Sequence, residues 1–196
     1  MLAIACFTAA CCALLQQGKR GGLAIACLLL GAAAMLGVFR FSSWEPINEL
    51  VRSTHQIASK FAAVGAFPVL AFSLAYPSNP FAQQFQKAGL LAMLTGGIGV
   101  AVCIWVFEPW SMLAPLLSAL WMVASVAGWQ PSRSRQRGAL GLIFLFASFV
   151  VTLPIRLNDW FPLSITSTEL FHYLMAIAIP IILWSTVKSR AAIARD

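Results

Sequence analysis

The stretch from Lys19 to Arg40 reads KRGGLAIACLLLGAAAMLGVFR. Two cations precede a long uncharged run, and a third cation closes it. The apolar part, residues 22–39, approaches the roughly 20 residues a helix needs to cross about 30 Å of hydrocarbon. This stretch therefore predicts a membrane helix.

Outward from it, six more apolar segments follow the same pattern: 1–15, 56–76, 88–107, 111–128, 139–155 and 168–187. The first is short, but it has neither the positive n-region nor the evident A-x-A site of a signal peptide. Hydrophobic residues make up 60% of the chain and charged residues 10%. Mean hydropathy is +0.84. A soluble domain carries roughly 25% charged residues, so this composition suits lipid. The expectation is an all-α, polytopic transmembrane helix bundle of about seven helices, with residues 1–196 as a single transmembrane domain.

The sign of the charge alternates from one connection to the next. Lys19, Arg20, Lys87, Arg133, Arg135, Arg137, Lys188, Arg190 and Arg195 fall in alternate connections or the C-terminal tail. Glu45, Glu49, Glu108, Asp159 and Glu169 fall in the others or at their edges. Lys and Arg near helix ends orient a membrane protein with the cations inside. The expected topology has the N-terminus outside and the C-terminus cytoplasmic. Only Arg40, Arg52 and Arg156 then lie in outer loops, and only Asp196 of the six acids lies inside.

The formal charge is +7, but it sits in short loops. There it acts as a topology signal and meets anionic lipid headgroups. No aromatic–basic repeat points to nucleic acid. The expected partners are the bilayer, a lipid or small-molecule ligand, and other membrane proteins or further copies of the chain. Cys6, Cys11, Cys12, Cys27 and Cys103 lie in apolar segments with no CxxC pair. They read as small apolar side chains.

Small residues cluster at Gly31-Ala32-Ala33-Ala34 and at Gly96, Gly97 and Gly99, where they allow close approach between membrane helices. Pro68, Pro115, Pro154 and Pro180 fall within apolar segments and should bend them. Trp44, Trp110, Trp129, Trp160 and Trp184 lie near segment ends, as an aromatic belt requires.

Polar residues concentrate at the outer side. A helix from about Trp44 to Tyr76 would place Glu45, Glu49, Arg52, His55 or Gln56, and Ser59 on one face, with Lys60 beside them. Such a stripe must face protein or water. The last helix begins at the same side: Thr166-x-x-Glu169 has capping-box spacing, and Glu169 and His172 share a face. Arg156 and Asp159 enter from the neighbouring loop, and Glu108 from another. The third and seventh helices must adjoin for these groups to converge.

His55, Glu169, His172, Arg52, Ser59, Arg156 and Asp159 are thus the candidate ligand-binding residues. No zinc, haem or other cofactor is expected. If a metal were bound, His55, His172 and Glu169 would hold it, since zinc takes three or four ligands. Seven-helix hydrolases of the ceramidase and adiponectin-receptor type use three histidines, and this chain has two. Bis-histidine haem ligation at one surface gives no transmembrane electron path. A retinal Schiff base wants a mid-membrane lysine in the last helix, whereas Lys188 is at its inner end. No GxGxxG, Walker loop, HExxH, GxSxG or CxxCH occurs.

The stretch Arg52-Ser-Thr-His55-Gln-Ile-Ala-Ser-Lys60, followed by residues 61–77, resembles the central signature of a family of small bacterial and archaeal integral-membrane proteins of unknown function. The ending Glu169-Leu-Phe-His172-Tyr-Leu, running into Trp184, is similar to that family's last helix. The resemblance implies a multi-pass bacterial inner-membrane protein and brings no activity with it. The leading expectation is an outward-facing polar pocket that binds a small polar or lipid-headgroup ligand, for transport, sensing or an accessory role. Two alternatives stand beside it. One is a metal-dependent membrane lipid hydrolase using the same residues. The other is a structural subunit with no site, in which Gly96 and Gly97 serve assembly.

Overall fold

The computed structural model describes residues 2–15, 20–40, 48–127, 133–152 and 167–193, and no strand occurs among them. In order, the helices are α1 (Leu2–Leu15), α2 (Gly21–Arg40), α3 (Asn48–Phe61), a π-helical turn (Ala62–Ala66), α4 (Phe67–Ala75), α5 (Pro80–Gln83), α6 (Phe85–Trp105), α7 (Trp110–Ala127), α8 (Arg133–Thr152) and α9 (Ser167–Ile193). Four stretches are long and apolar enough to cross a membrane: Gly21–Arg40, Glu49–Ala75, Phe85–Trp105 and Trp110–Ala127. Leu2–Ala13, Gln136–Val151 and Leu170–Ser185 are shorter apolar helices. The backbone favours this outcome because lipid cannot satisfy exposed N–H and C=O groups, and a helix satisfies them within itself.

The helix ends depart from the apolar segments where polar residues also favour helix. α8 starts at Arg133 and so takes in the arginine-rich run expected as a turn. Arg and Gln are good helix formers, and Pro131-Ser132 before them is a start signal. The third helix is continuous from Asn48 to Ala75 only through its π turn. Pro68 explains the position of that turn. Proline has no N–H to offer the carbonyl of residue 64, and its ring crowds that carbonyl, so a widened turn just before it relieves the clash. Pro115 and Pro180 lie inside α7 and α9, while Pro154 lies outside the described residues. Asn79 caps α5, its Oδ1 accepting from the Phe81 N–H at 2.9 Å, with Pro80 at the first helical position.

α2 is the central post of the bundle, packing against α1, α3, the π turn, α4, α5 and α6. α9 packs on α8 and α1, and α7 packs on α4 and α8. Lipid tails are as apolar as leucine, so membrane helices associate through close packing and small residues. The core has that character. Ala10, Ala24, Ala26, Ala66, Ala71, Ala119 and Ala178 are wholly buried, with Leu70, Met122, Leu145 and Ile179 filling the gaps between them. A Cβ at Gly96 would stand 2.6 Å from the Phe61 ring, and one at Gly99 would stand 2.5 Å from Val64. These glycines seat α6 on the π turn. Gly97 faces open space, with nothing within 4 Å of an added Cβ. Within the chain, then, Gly96 and Gly99 serve close helix packing and Gly97 does not.

Large apolar side chains line the outside. Leu90, Leu94 and Ile98 on α6 and Leu117 and Leu120 on α7 are all more than half exposed. A soluble monomer rarely leaves a patch of this kind uncovered. Trp105 and Trp184 are also exposed, whereas Trp110 is partly buried at the start of α7.

Candidate functional site

The site begins where α2 ends. Gly37 and Arg40 are three residues apart and face α3, which packs alongside α2. At Gly37 an added Cβ would stand 3.0 Å from Nε2 of His55. The missing side chain leaves room for the imidazole against α2. One turn later, Nη1 of Arg40 lies 3.1 Å from Nδ1 of His55. On the other side of the ring, Oγ of Ser59 lies 3.3 Å from Nε2. Ser59 follows His55 by four residues on α3, so helical spacing alone brings those two together.

Hydrogen-bond chemistry fixes the state of this ring. A guanidinium only donates. Nδ1 of His55 must therefore accept, which puts the ring proton on Nε2, and Nε2–H donates to Ser59 Oγ. His55 is thus a neutral imidazole held at both nitrogens, with its ring lone pair directed at Arg40.

His172 comes from α9. It is partly buried, with the Phe171 ring edge-on to it at a centroid distance of 5.3 Å. Both Arg40 and His172 stand within electrostatic reach of His55. The third and last apolar segments do their main packing elsewhere, however. α9 lies against α8 and α1, and α3 lies against α2 and α6.

The same end carries an ion pair. Lys60 Nζ lies 3.9 Å from Glu108 Oε1, and their side chains are 34% and 82% exposed. This contact ties α3 to the turn between α6 and α7, and solvent at such exposure makes it weak. Arg52 sits one turn before His55 with its side chain exposed. Glu169 lies in the first turn of α9. Its side chain, and all of Arg156 and Asp159, lie outside the described residues.

The structure thus brings His55 and Ser59 together, sets His172 near them, and adds Arg40 and Gly37, which sequence reasoning did not select. Arg40 did carry a signal. It is one of three cations on the side that charge asymmetry otherwise leaves poor in cations. No group of three or more His, Cys, Asp or Glu side chains gathers as a metal site needs among the described residues. A metal at His55 would have to displace a positively charged guanidinium from Nδ1 or a proton from Nε2. The donors that remain at this end are further N–H groups of the Arg40 guanidinium and the Ser59 hydroxyl, which suit a group rich in hydrogen-bond acceptors.

Fold and site together define an all-helical protein with four helices of membrane-crossing length and a histidine–arginine cluster at one end of the bundle. No protein-family profile, curated protein or solved structure matches the chain.

Proposed function

We propose that this is a multi-pass protein of the bacterial inner membrane, whose Arg40–His55–His172 end opens to the extracytoplasmic side and binds a small polar ligand or a lipid headgroup. In this reading all seven apolar helices cross the bilayer, the N-terminus is outside, and the C-terminus is cytoplasmic. The bound ligand serves transport, sensing or an accessory role in a membrane complex.

One observation carries the reading: Arg40 from α2 reaches His55 on α3 at 3.1 Å, with His172 from α9 in electrostatic reach. The ends of two consecutive helices meet at this polar pair, and α9 contributes a second imidazole within its electrostatic reach. Ionisable groups in a membrane protein are costly and tend to mark ligand pathways. Purification in mild detergent, heat release and mass spectrometry of co-purifying small molecules and lipids tests it. The wild type should retain a molecule that His55→Ala and His172→Ala both lose. Identical retention by all three proteins refutes the reading.

A further inference from the structure

The contact between Arg40 and His55 can exist in only one protonation state. A guanidinium only donates, so the lone pair on Nδ1 of His55 must accept. That lone pair is available only while the ring is neutral. A proton on it turns the acceptor into a donor and sets a second positive charge 3.1 Å from the first. Turning the ring over does not restore the bond, because both nitrogens of an imidazolium donate.

The last turn of α2 leans on this one ring. Val38 and Phe39 are 58% and 53% exposed. Gly37 is buried and Arg40 is partly buried. Both of these inward residues meet His55, Arg40 through Nδ1 and Gly37 through the close approach of Nε2. A change in the charge of the imidazole therefore acts on both contacts at once.

Among the described residues, the other charged or titratable groups around the ring come from three places. α9 brings His172. α3 itself carries Glu49, Arg52 and Lys60, and Lys60 pairs with Glu108 from the turn before α7. α6, which also packs on α3, brings the buried Cys103 near this end and Lys87 at its far end, and the π turn brings none. Arg52 stands one turn before His55 and adds a further cation on the same helix.

We infer that His55 is a proton-operated latch on the last turn of α2, closed while the imidazole is neutral and open once Nδ1 takes a proton. Imidazole changes charge within the pH range that an extracytoplasmic face meets. Acidity outside the cell would then control how firmly the ligand-binding end is held. That consequence rests on the proposed function and orientation, whereas the latch itself needs no ligand.

The test uses the full chain in detergent, without ligand. A nitroxide on Val38→Cys, with the exposed Cys11 and Cys12 replaced by Ser, reads the mobility of the α2 turn by electron paramagnetic resonance. The chain has two histidines, so 15N NMR of histidine-labelled His172→Gln reads the His55 ring alone. At neutral pH the label should be immobile and the ring proton should be on Nε2. As pH falls, gain of the Nδ1 proton and gain of label mobility should share one midpoint. Arg40→Met should be mobile at every pH. His55→Asn should be immobile at every pH, since its amide oxygen accepts from Arg40 and does not titrate. Constant mobility while the ring titrates overturns the inference, and so does a pH response that survives in His55→Asn. A ring that carries its neutral-pH proton on Nδ1, or that stays neutral at the lowest pH the fold survives, overturns it as well. Failure to retain any co-purifying molecule would refute the proposed function and leave these signals unchanged.

Discussion

Arg40 donates to Nδ1 of His55 at 3.1 Å across fifteen residues of sequence, joining the end of α2 to α3. The bond holds the imidazole in one tautomer and presents its Nε2–H to Ser59. Because a charge-assisted hydrogen bond in a partly buried place contributes about 1.5–3 kcal/mol, this pair should dominate the behaviour of the site. Arg40→Met should weaken retention of any ligand held there by roughly 10-fold or more. His55→Asn should retain more than His55→Ala, since the Asn side-chain oxygen can accept from Arg40 as Nδ1 does. Titration of the co-purified ligand into the three variants measures this ordering.

The same bond bears on metals. With Nδ1 engaged by a cation and Nε2 protonated, His55 offers no lone pair to zinc. Purified wild-type protein should contain well under one zinc per chain by elemental analysis, even after incubation with zinc and desalting. Stoichiometric zinc that His55→Ala and His172→Ala both remove would revive the hydrolase reading and abolish the tautomer argument.

Gly37 should tune the site without supporting the fold. A methyl group there would stand 3.0 Å from Nε2 of His55, tighter than ordinary contact. The imidazole must move by a few tenths of an ångström, which disturbs its bonds to Ser59 and Arg40. Gly37→Ala should therefore lower ligand retention while the thermal midpoint in detergent changes little. A large fall in midpoint would show that Gly37 serves helix packing instead.

Neighbouring glycines on α6 should behave in opposite ways. Gly96→Ala forces a methyl into the Phe61 ring and Gly99→Ala forces one into Val64. Overpacking of this kind costs about 1–3 kcal/mol. Gly97→Ala meets open space and should lie within about 0.5 kcal/mol of wild type. Thermal unfolding of the three variants in one detergent separates them. Equal destabilisation by all three would contradict the packing of α6 on the π turn.

Orientation is open to direct measurement. A reporter inserted between Gln130 and Arg133 should be active only when it is a cytoplasmic reporter, and one inserted in the turn near Glu108 only when it is an extracytoplasmic one. The reverse result would invert the bundle and move the Arg40–His55 cluster to the cytoplasmic side. Glu108→Gln should leave stability nearly unchanged, because its pairing with Lys60 is exposed and surface pairs contribute roughly 0–1 kcal/mol.

Much of the fold was legible in one dimension. A long uncharged run such as 22–39 can satisfy its backbone in lipid only as a helix, so all-helical architecture follows from composition and run length. The i to i+4 relation of His55 and Ser59 was equally legible, since it needs only the helical repeat. The partner on the other side of the ring was not. Arg40 read as a cation at a segment end, and nothing in its local sequence said that α2 would turn it toward α3. Likewise Gly96 and Gly97 look alike in sequence, and only the rotation of α6 about its axis sends one to Phe61 and the other to open space.

By itself, then, the sequence determined that the chain is helical and where long apolar helices run. Those properties depend on hydrophobic length and on local backbone hydrogen bonding. The tertiary structure decided which side chains meet: Arg40 with His55, Lys60 with Glu108, Gly96 with Phe61, and that α9 packs on α8 and α1. Those meetings depend on helix rotation, on the extra residue that the π turn inserts before Pro68, and on packing between segments distant in the chain.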